Sequence, residues 1–323
     1  METKTTVVLN PRARNGRTGK MWPRIEAEIA KHLSNFEPAF TEGPRHATEL
    51  TRNAIKNGSE FIVALGGDGT INEVVNGFFE NGSLTREGTT LGIVSGGTGG
   101  DFIKTLGIPR AVPEAAAVLA GGRTMVCDAG RIRCAGHDGA EIEHYFINIA
   151  DFGLGGLSVE KVNSTTKIFG SFLTFFIGIA RASFAYKNQP VEITIDGERI
   201  GERRIKSVVI ANGQYFGGGM RMAKEAAPDD GLFEMLILGD LRILEGALLM
   251  PRMYRGDILD HPKVERFKGR VLSATSDRRV LLDVDGEQVG RLPATFELIP
   301  ACIPVRVPHS PVTRGVGSPE AAP

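Results

Sequence analysis

Phe61-Ile62-Val63-Ala64-Leu65-Gly66-Gly67-Asp68-Gly69-Thr70-Ile71-Asn72-Glu73 is the stretch whose reading decides the fold. Five apolar residues predict a buried strand. A glycine turn follows, and then Val74-Val75-Asn76-Gly77-Phe78-Phe79 reads as a helix. A strand feeding a glycine turn and a helix start is how a backbone builds an anion site: glycine permits close approach, and free N–H groups at the helix start point at negative charge. An aspartate inside such a loop would repel a bare phosphate. Asp68 therefore implies a bridging magnesium or a base beside the phosphate, and the loop reads as a site for a nucleotide triphosphate.

The same alternation continues on either side. Strands are predicted at 7–10, 37–41, 61–65 and 91–95, with helices near 21–33, 47–57, 72–79 and 112–119. This is the pattern of a doubly wound parallel α/β domain, with its site in the loops at the strand carboxyl ends. A second glycine loop, Ser95-Gly96-Gly97-Thr98-Gly99-Gly100-Asp101-Phe102, follows the fourth strand and faces the same edge. Asn10-Pro11-Arg12-Ala13-Arg14 closes the first strand and Thr41 the second. The chain lacks G-x-x-x-x-G-K-[ST], which argues against a P-loop fold, and has no G-x-G-x-x-G after its first strand, which weakens a dinucleotide-binding dehydrogenase.

From about Cys127 the pattern changes to short strands with glycine turns, at 191–195, 207–211, 232–238, 280–284 and 294–298. These predict an antiparallel, β-sandwich-like second domain, interrupted by helical stretches near 158–186 and 241–255. The expected organisation is 1–127 as the nucleotide domain and 128–305 as a β-rich lipid-binding domain whose last strands return to the first. Residues 306–323 are expected to form a disordered tail. Phe169, Phe172 and Phe176 fall at helical spacing with Leu173 and Ile179. They read either as a core-facing amphipathic helix or as a surface for a lipid tail or membrane.

With 323 residues, two domains are the default. Lys plus Arg equals Asp plus Glu at 38 each, so no global field draws the chain to nucleic acid or an anionic membrane. Three widely spaced cysteines, Cys127, Cys134 and Cys302, exclude a zinc ribbon and fit a reducing compartment. No signal peptide is expected before the first strand. Among the acidic turns, Asp229-Asp230-Gly231 offers what a hard cation takes as ligands. Asp285-Gly286-Glu287 and Asp196-Gly197-Glu198 are the same three letters in similar hairpin settings, and local pattern does not separate them.

Together these residues resemble the lipid-kinase family that contains bacterial diacylglycerol kinases, the YegS-type proteins, and sphingosine and ceramide kinases. The resemblance runs from Thr6 to about Ile299. It rests on an ordered set: Asn10-Pro11, Gly66 to Glu73, Gly97-Thr98-Gly99 with Asp101-Phe102, and Phe146-Ile147-Asn148. Asn212-Gly213 with Tyr215, Gly217 to Met220, Asp229 to Leu232 and Asp285 to Glu287 complete it. It implies an ATP- and Mg2+-dependent kinase acting on a lipid hydroxyl, most simply that of diacylglycerol. It also implies peripheral contact with the inner face of a membrane from the cytoplasm, no nucleic-acid partner and a potential homodimer. ATP would be held by Asn10, Thr41, Gly66, Gly67, Asp68, Gly69, Thr70, Asn72, Glu73, Gly97 and Thr98. The acidic catalytic site maps by chain order onto Asp285 and Glu287, with Asp68 the other candidate base. A structural magnesium maps onto Asp230 with carbonyls near Ala227 and Leu232. Three positions depart from the family pattern: Ser95 for proline, Gly100 for asparagine and Lys224 for proline. Gly100 removes a side-chain amide from beside the phosphates. The alternatives are phosphorylation of a soluble acceptor, as in NAD kinases, and a nucleotide-binding regulator without turnover.

Overall fold

The computed structural model describes residues 3–14, 16–97, 99–157 and 186–309. Thr98, the phenylalanines between 169 and 176, and residues 310–323 lie outside them.

Four parallel strands open the fold: β1 (Thr5–Leu9), β2 (Phe36–Phe40), β3 (Phe61–Gly66) and, after the small hairpin β4 (Phe79–Glu80) and β5 (Ser83–Leu84), β6 (Thr90–Ser95). They lie in the order β6-β3-β1-β2. In β3 every residue is buried, as expected of a strand covered on both faces. The period of two then decides which layer each side chain meets. Val7, Leu9, Val63 and Leu65 pack under α1 (Arg17–Ala30) and α5 (Val112–Gly121), against Trp22, Ile25, Ile29 and Leu119. Val8, Ile62 and Ala64 meet α2 (His46–Lys56) and α3 (Asp68–Gly77) through Ala47, Ile55, Ile71, Val74 and Val75. The doubly wound reading holds. A short helix that the sequence did not announce, α4 (Asp101–Leu106), follows the second glycine loop.

Beyond this layer β7 (Arg123–Ala135) runs through position 127 without a break. It pairs with β8 (Glu141–Phe146) on one side and with the long β17 (Arg291–Val307) on the other. β17 also pairs with β6 at Val305 and Leu91, so the last strand returns to the first layer. It takes in Arg306 and Val307, the first residues of the stretch expected as a tail. β10 (Gln189–Ile195), β11 (Glu198–Ile205) and β15 (Val271–Thr275) extend the same ten-stranded sheet.

A second sheet has the order β14-β13-β12-β9-β16. Its members are β9 (Ile149–Gly153), β12 (Ser207–Ala211), β13 (Phe233–Leu238), β14 (Val264–Gly269) and β16 (Leu282–Val284). The two sheets enclose a core containing Phe146, Phe152, Phe233 and Phe296, a β-sandwich. α6 (Ile243–Arg255) lies outside this second sheet. Two differences from the sequence reading share a cause: β7 and β17 are long because each serves both layers, which a pattern of short local runs does not reveal.

Candidate active site

The site begins where β3 turns into α3. Asn10, Thr41, Gly66 and Ser95 stand at the carboxyl ends of β1, β2, β3 and β6. They are tied into one edge by Asn10 N–H to the Leu65 carbonyl (3.2 Å), Thr41 N–H to the Leu9 carbonyl (2.9 Å) and Gly96 N–H to the Gly66 carbonyl (2.7 Å). The glycines are required by contact: a Cβ on Gly97 would overlap the Gly67 backbone, and one on Gly66 would overlap the Thr70 side chain. Only glycine lets the two loops touch. α3 has no side-chain N-cap, so the N–H groups of its first turn remain to face an anion. This cradle fits a triphosphate.

Asp68 does not point freely into that cradle. Its Oδ2 accepts the Gly100 N–H (2.8 Å) and its Oδ1 the Asp101 N–H (3.0 Å), so it holds the second glycine loop to α3. Burial raises its pKa, and the Asp101 charge raises it further. Gly100 is left-handed (φ 64°), and its N–H supplies one of the two bonds. Asp101 in turn accepts the Gly218 N–H (2.8 Å) and pairs with Lys104 (2.7 Å), which clasps α4 to the loop at 217–219.

The second wall comes from the hairpin after β16. Asp285 (φ 50°) and Gly286 (φ 90°) form its two-residue turn, closed by reciprocal Val284–Glu287 backbone bonds of 2.9 Å each. Asp285 is anchored by four donors. Its Oδ2 accepts from Asn72 Nδ2 (3.0 Å) and Ile147 N–H (3.0 Å), and its Oδ1 from Asn148 N–H (3.2 Å) and Ile149 N–H (2.9 Å). Burial pushes its pKa up to about 6 against the pull of those donors. Asn72, wholly buried, also donates to the Tyr145 carbonyl (3.0 Å), and its Oδ1 meets His144 Nε2 (3.0 Å). It is the pin between α3 and the sandwich.

Glu287 is different. Among the described residues no donor reaches its half-buried carboxylate, which lies beside Gly69. Burial first, then the charges of Glu73 and Asp285, push its pKa to about 7, while Arg45 opposes them. Glu73 itself caps α2, accepting the Ala47 N–H at 3.0 Å. The geometry thus gathers Gly66, Gly67, Asp68, Gly69, Thr70, Asn72, Glu73, Gly97, Asp285 and Glu287 at one junction, with Asn10 and Thr41 along the same strand edge.

Asp196-Gly197 adopts the same turn (φ 48° and 83°). Its carboxylate accepts from Arg270 N–H (2.9 Å) and Val271 N–H (2.8 Å), away from the glycine loops. The two hairpins differ only in what folds against them, which no local letter encodes. Arg45 was missed as well. It sits in the loop after β2, four residues past Thr41, with a left-handed backbone (φ 65°). That loop's place at a strand carboxyl end was the available signal.

The Ala227–Leu232 turn lies apart, bonded to Asp128 through Gly231 N–H (2.8 Å). Asp230 Oδ1 accepts the Leu232 N–H (3.0 Å), its Oδ2 is 3.6 Å from Lys268 Nζ, and the Ala227 carbonyl accepts the Asp230 N–H (3.3 Å). The Lys268 ammonium stands beside the Asp230 carboxylate, and the charges of Asp229 and Asp230 both bear on Asp128. No cluster of three or more His, Cys, Asp or Glu able to hold a metal occurs among the described residues.

A glycine-lined anion cradle faced by a buried acid is compatible with a phosphotransferase of the kinase class. Residues 4–132 match the diacylglycerol kinase catalytic domain, and residues 149–307 match the YegS C-terminal NAD kinase beta sandwich-like domain. The chain belongs to the family built from these two domains and is a kinase. It is 29% identical over 318 residues to a diacylglycerol kinase of Staphylococcus aureus (strain MRSA252), covering 96% of this chain and 94% of that one. It is 27% identical over 297 residues to the diacylglycerol kinase of Staphylococcus carnosus (strain TM300), 92% of each. The fold matches a diacylglycerol kinase structure from Bacillus anthracis (strain Sterne) at TM-score 0.70 and 21% identity, over 94% of this chain and 97% of that chain.

Proposed function

We propose that the enzyme transfers the γ-phosphoryl group of ATP to the hydroxyl of a lipid, diacylglycerol or a related lipid alcohol. The observation that carries this reading is Glu287: a carboxylate that no donor among the described residues reaches, beside the first turn of α3, with its pKa raised to about 7. A general base works best when its pKa lies near the operating pH.

ATP supplies the phosphoryl group, and Mg2+ with it neutralises charge. Gly67, Gly69, Thr70, Gly97 and Thr98 hold the triphosphate through N–H and hydroxyl donors, with Asn10, Thr41 and Gly66 shaping the floor. Glu287 takes the proton of the acceptor hydroxyl. Asp285, saturated by four donors, fixes the hairpin that carries Glu287. Asp68 keeps the second glycine loop closed over α3. Asn72 and Glu73 set the spacing between α3 and its neighbours.

The acceptor's class rests on the curated relatives, which are named diacylglycerol kinases. Such an acceptor lives in a bilayer, so the enzyme works peripherally, from the cytoplasm, at the membrane's inner face. No helix among the described residues is long and apolar enough to cross a membrane. The test offers dioctanoylglycerol and NAD in parallel with ATP and Mg2+. ADP release that depends on dioctanoylglycerol supports the proposal, while release that depends on NAD alone replaces it with a soluble acceptor.

A further inference from the structure

Seven large hydrophobic side chains stand exposed among the described residues, and four of them belong to α6: Ile243, Leu244, Leu248 and Tyr254. Leu244 and Leu248 are each 71% exposed. They are four residues apart and therefore neighbours on one helix face. With Ala247 and Pro251 they form an outward apolar stripe. Leu249, Met250 and Met253 turn the opposite way, toward Met220, Met222 and Leu236. A helix that packs on a domain ordinarily shows solvent its polar side; this one shows leucine.

The helix and its N-cap carry three arginines against one acid. Arg242 precedes the helix, and Arg252 and Arg255 close it. None of the three forms an ion pair with another described residue. The helix's one acid, Glu245, is held by Lys263 at 2.8 Å. The C-terminal end of α6 lies close enough to the α4 clasp for the Asp101 charge to act on Tyr254. The C-terminal end of the helix thus lies near the site.

We propose that α6 is the docking face by which this enzyme sits on an anionic bilayer, Leu244 and Leu248 entering the acyl boundary and the three arginines meeting lipid headgroups. An amphipathic helix whose arginines form no ion pair among the described residues, beside leucines, fits the interface of a membrane rich in acidic lipid. A second copy of the chain fits less well, because a two-fold contact through this stripe would bring the arginines against their own copies. The inference rests on the lipid-acceptor reading for its purpose.

The experiment uses the full chain and vesicles of phosphatidylcholine with or without phosphatidylglycerol. Sedimentation is compared for wild type, Leu244→Asp/Leu248→Asp and Arg252→Glu/Arg255→Glu. Both pairs are exposed and outside the catalytic site, so transfer to monomeric dioctanoylglycerol remains as in the wild type. Binding to phosphatidylglycerol vesicles is expected to fall at least about tenfold in each variant. Transfer to long-chain diacylglycerol embedded in those vesicles falls with it. Wild-type sedimentation of the leucine variant overturns the proposal. So does a wild-type dimer by light scattering that becomes monomeric in the variant while neither form binds vesicles. If dioctanoylglycerol is not phosphorylated by the wild type, the acceptor reading fails, and vesicle sedimentation still judges the docking face separately.

Discussion

Replacing Glu287 by glutamine should sharply reduce turnover and make the protein more stable above neutral pH. The ordinary glutamate pKa is about 4.3, and in this fold burial and the charges of Glu73 and Asp285 push it to about 7. Between those values the native state holds a proton that the unfolded chain has released. The native state therefore binds more protons, and stability falls as pH rises through this window. Each pH unit of that gap costs up to about 1.4 kcal/mol. Screening at a half-buried side chain reduces the whole effect to about 1–2 kcal/mol at pH 8, and to less than about 0.5 kcal/mol at pH 5. Glutamine has no proton to lose, so Glu287→Gln should gain those amounts, raising the melting temperature by a few degrees at pH 8 and by little at pH 5. Its kcat should fall by about 10²–10⁴, the span a general base contributes. Thermal melts at the two pH values and a coupled ADP-release assay read both. A variant that is no more stable at pH 8, or that turns over like the wild type, refutes the reasoning.

The remaining expectations concern the groups that hold Glu287 and the phosphate cradle in place. Asp285→Ala leaves three backbone N–H groups and one N–H of the Asn72 amide without an acceptor. At about 1–3 kcal/mol for each buried unsatisfied group, it should cost several kcal/mol in urea unfolding and lose activity together with stability. Asn72→Ala removes the pin between α3 and the sandwich, and about 2–4 kcal/mol of stability should go with it, measured the same way. Asp68→Asn turns an amide donor toward the Gly100 or Asp101 N–H; kcat should drop at least about tenfold and loop proteolysis should rise. Gly97→Ala forces the two glycine loops apart. ATP affinity by calorimetry should weaken at least about tenfold, with a smaller change in melting temperature.

The sequence was most legible where one local rule decides the outcome. Phe61 to Leu65 had to be covered on both faces, and the glycine turn after it had to open a helix; β3 and α3 follow. The strand-end loops at Asn10, Thr41, Gly66 and Ser95 were readable for the same reason, since a parallel sheet places them at one edge. Contacts made across the chain were not legible. Asp285 and Asp196 share letters and turn geometry, and they diverge because Asp285 meets Asn72, 213 residues away in sequence. Asp68 reads as a magnesium or proton group in isolation, yet its oxygens are taken by two N–H groups of a loop 32 and 33 residues on. Arg45 was hidden by its ordinary loop context, although its charge bears on Glu287. The length of β7 and β17 also escaped, because one strand serves two layers and carries both patterns of burial.

The most direct test of the account is transfer of labelled phosphate from ATP into a panel of lipids in mixed micelles, with and without Mg2+, with Glu287→Gln alongside. The account predicts a labelled lipid that requires Mg2+ and disappears in the variant, its identity naming the acceptor. Tight ATP binding with no labelled lipid from any member of the panel, or a lipid product undiminished in Glu287→Gln, would contradict it.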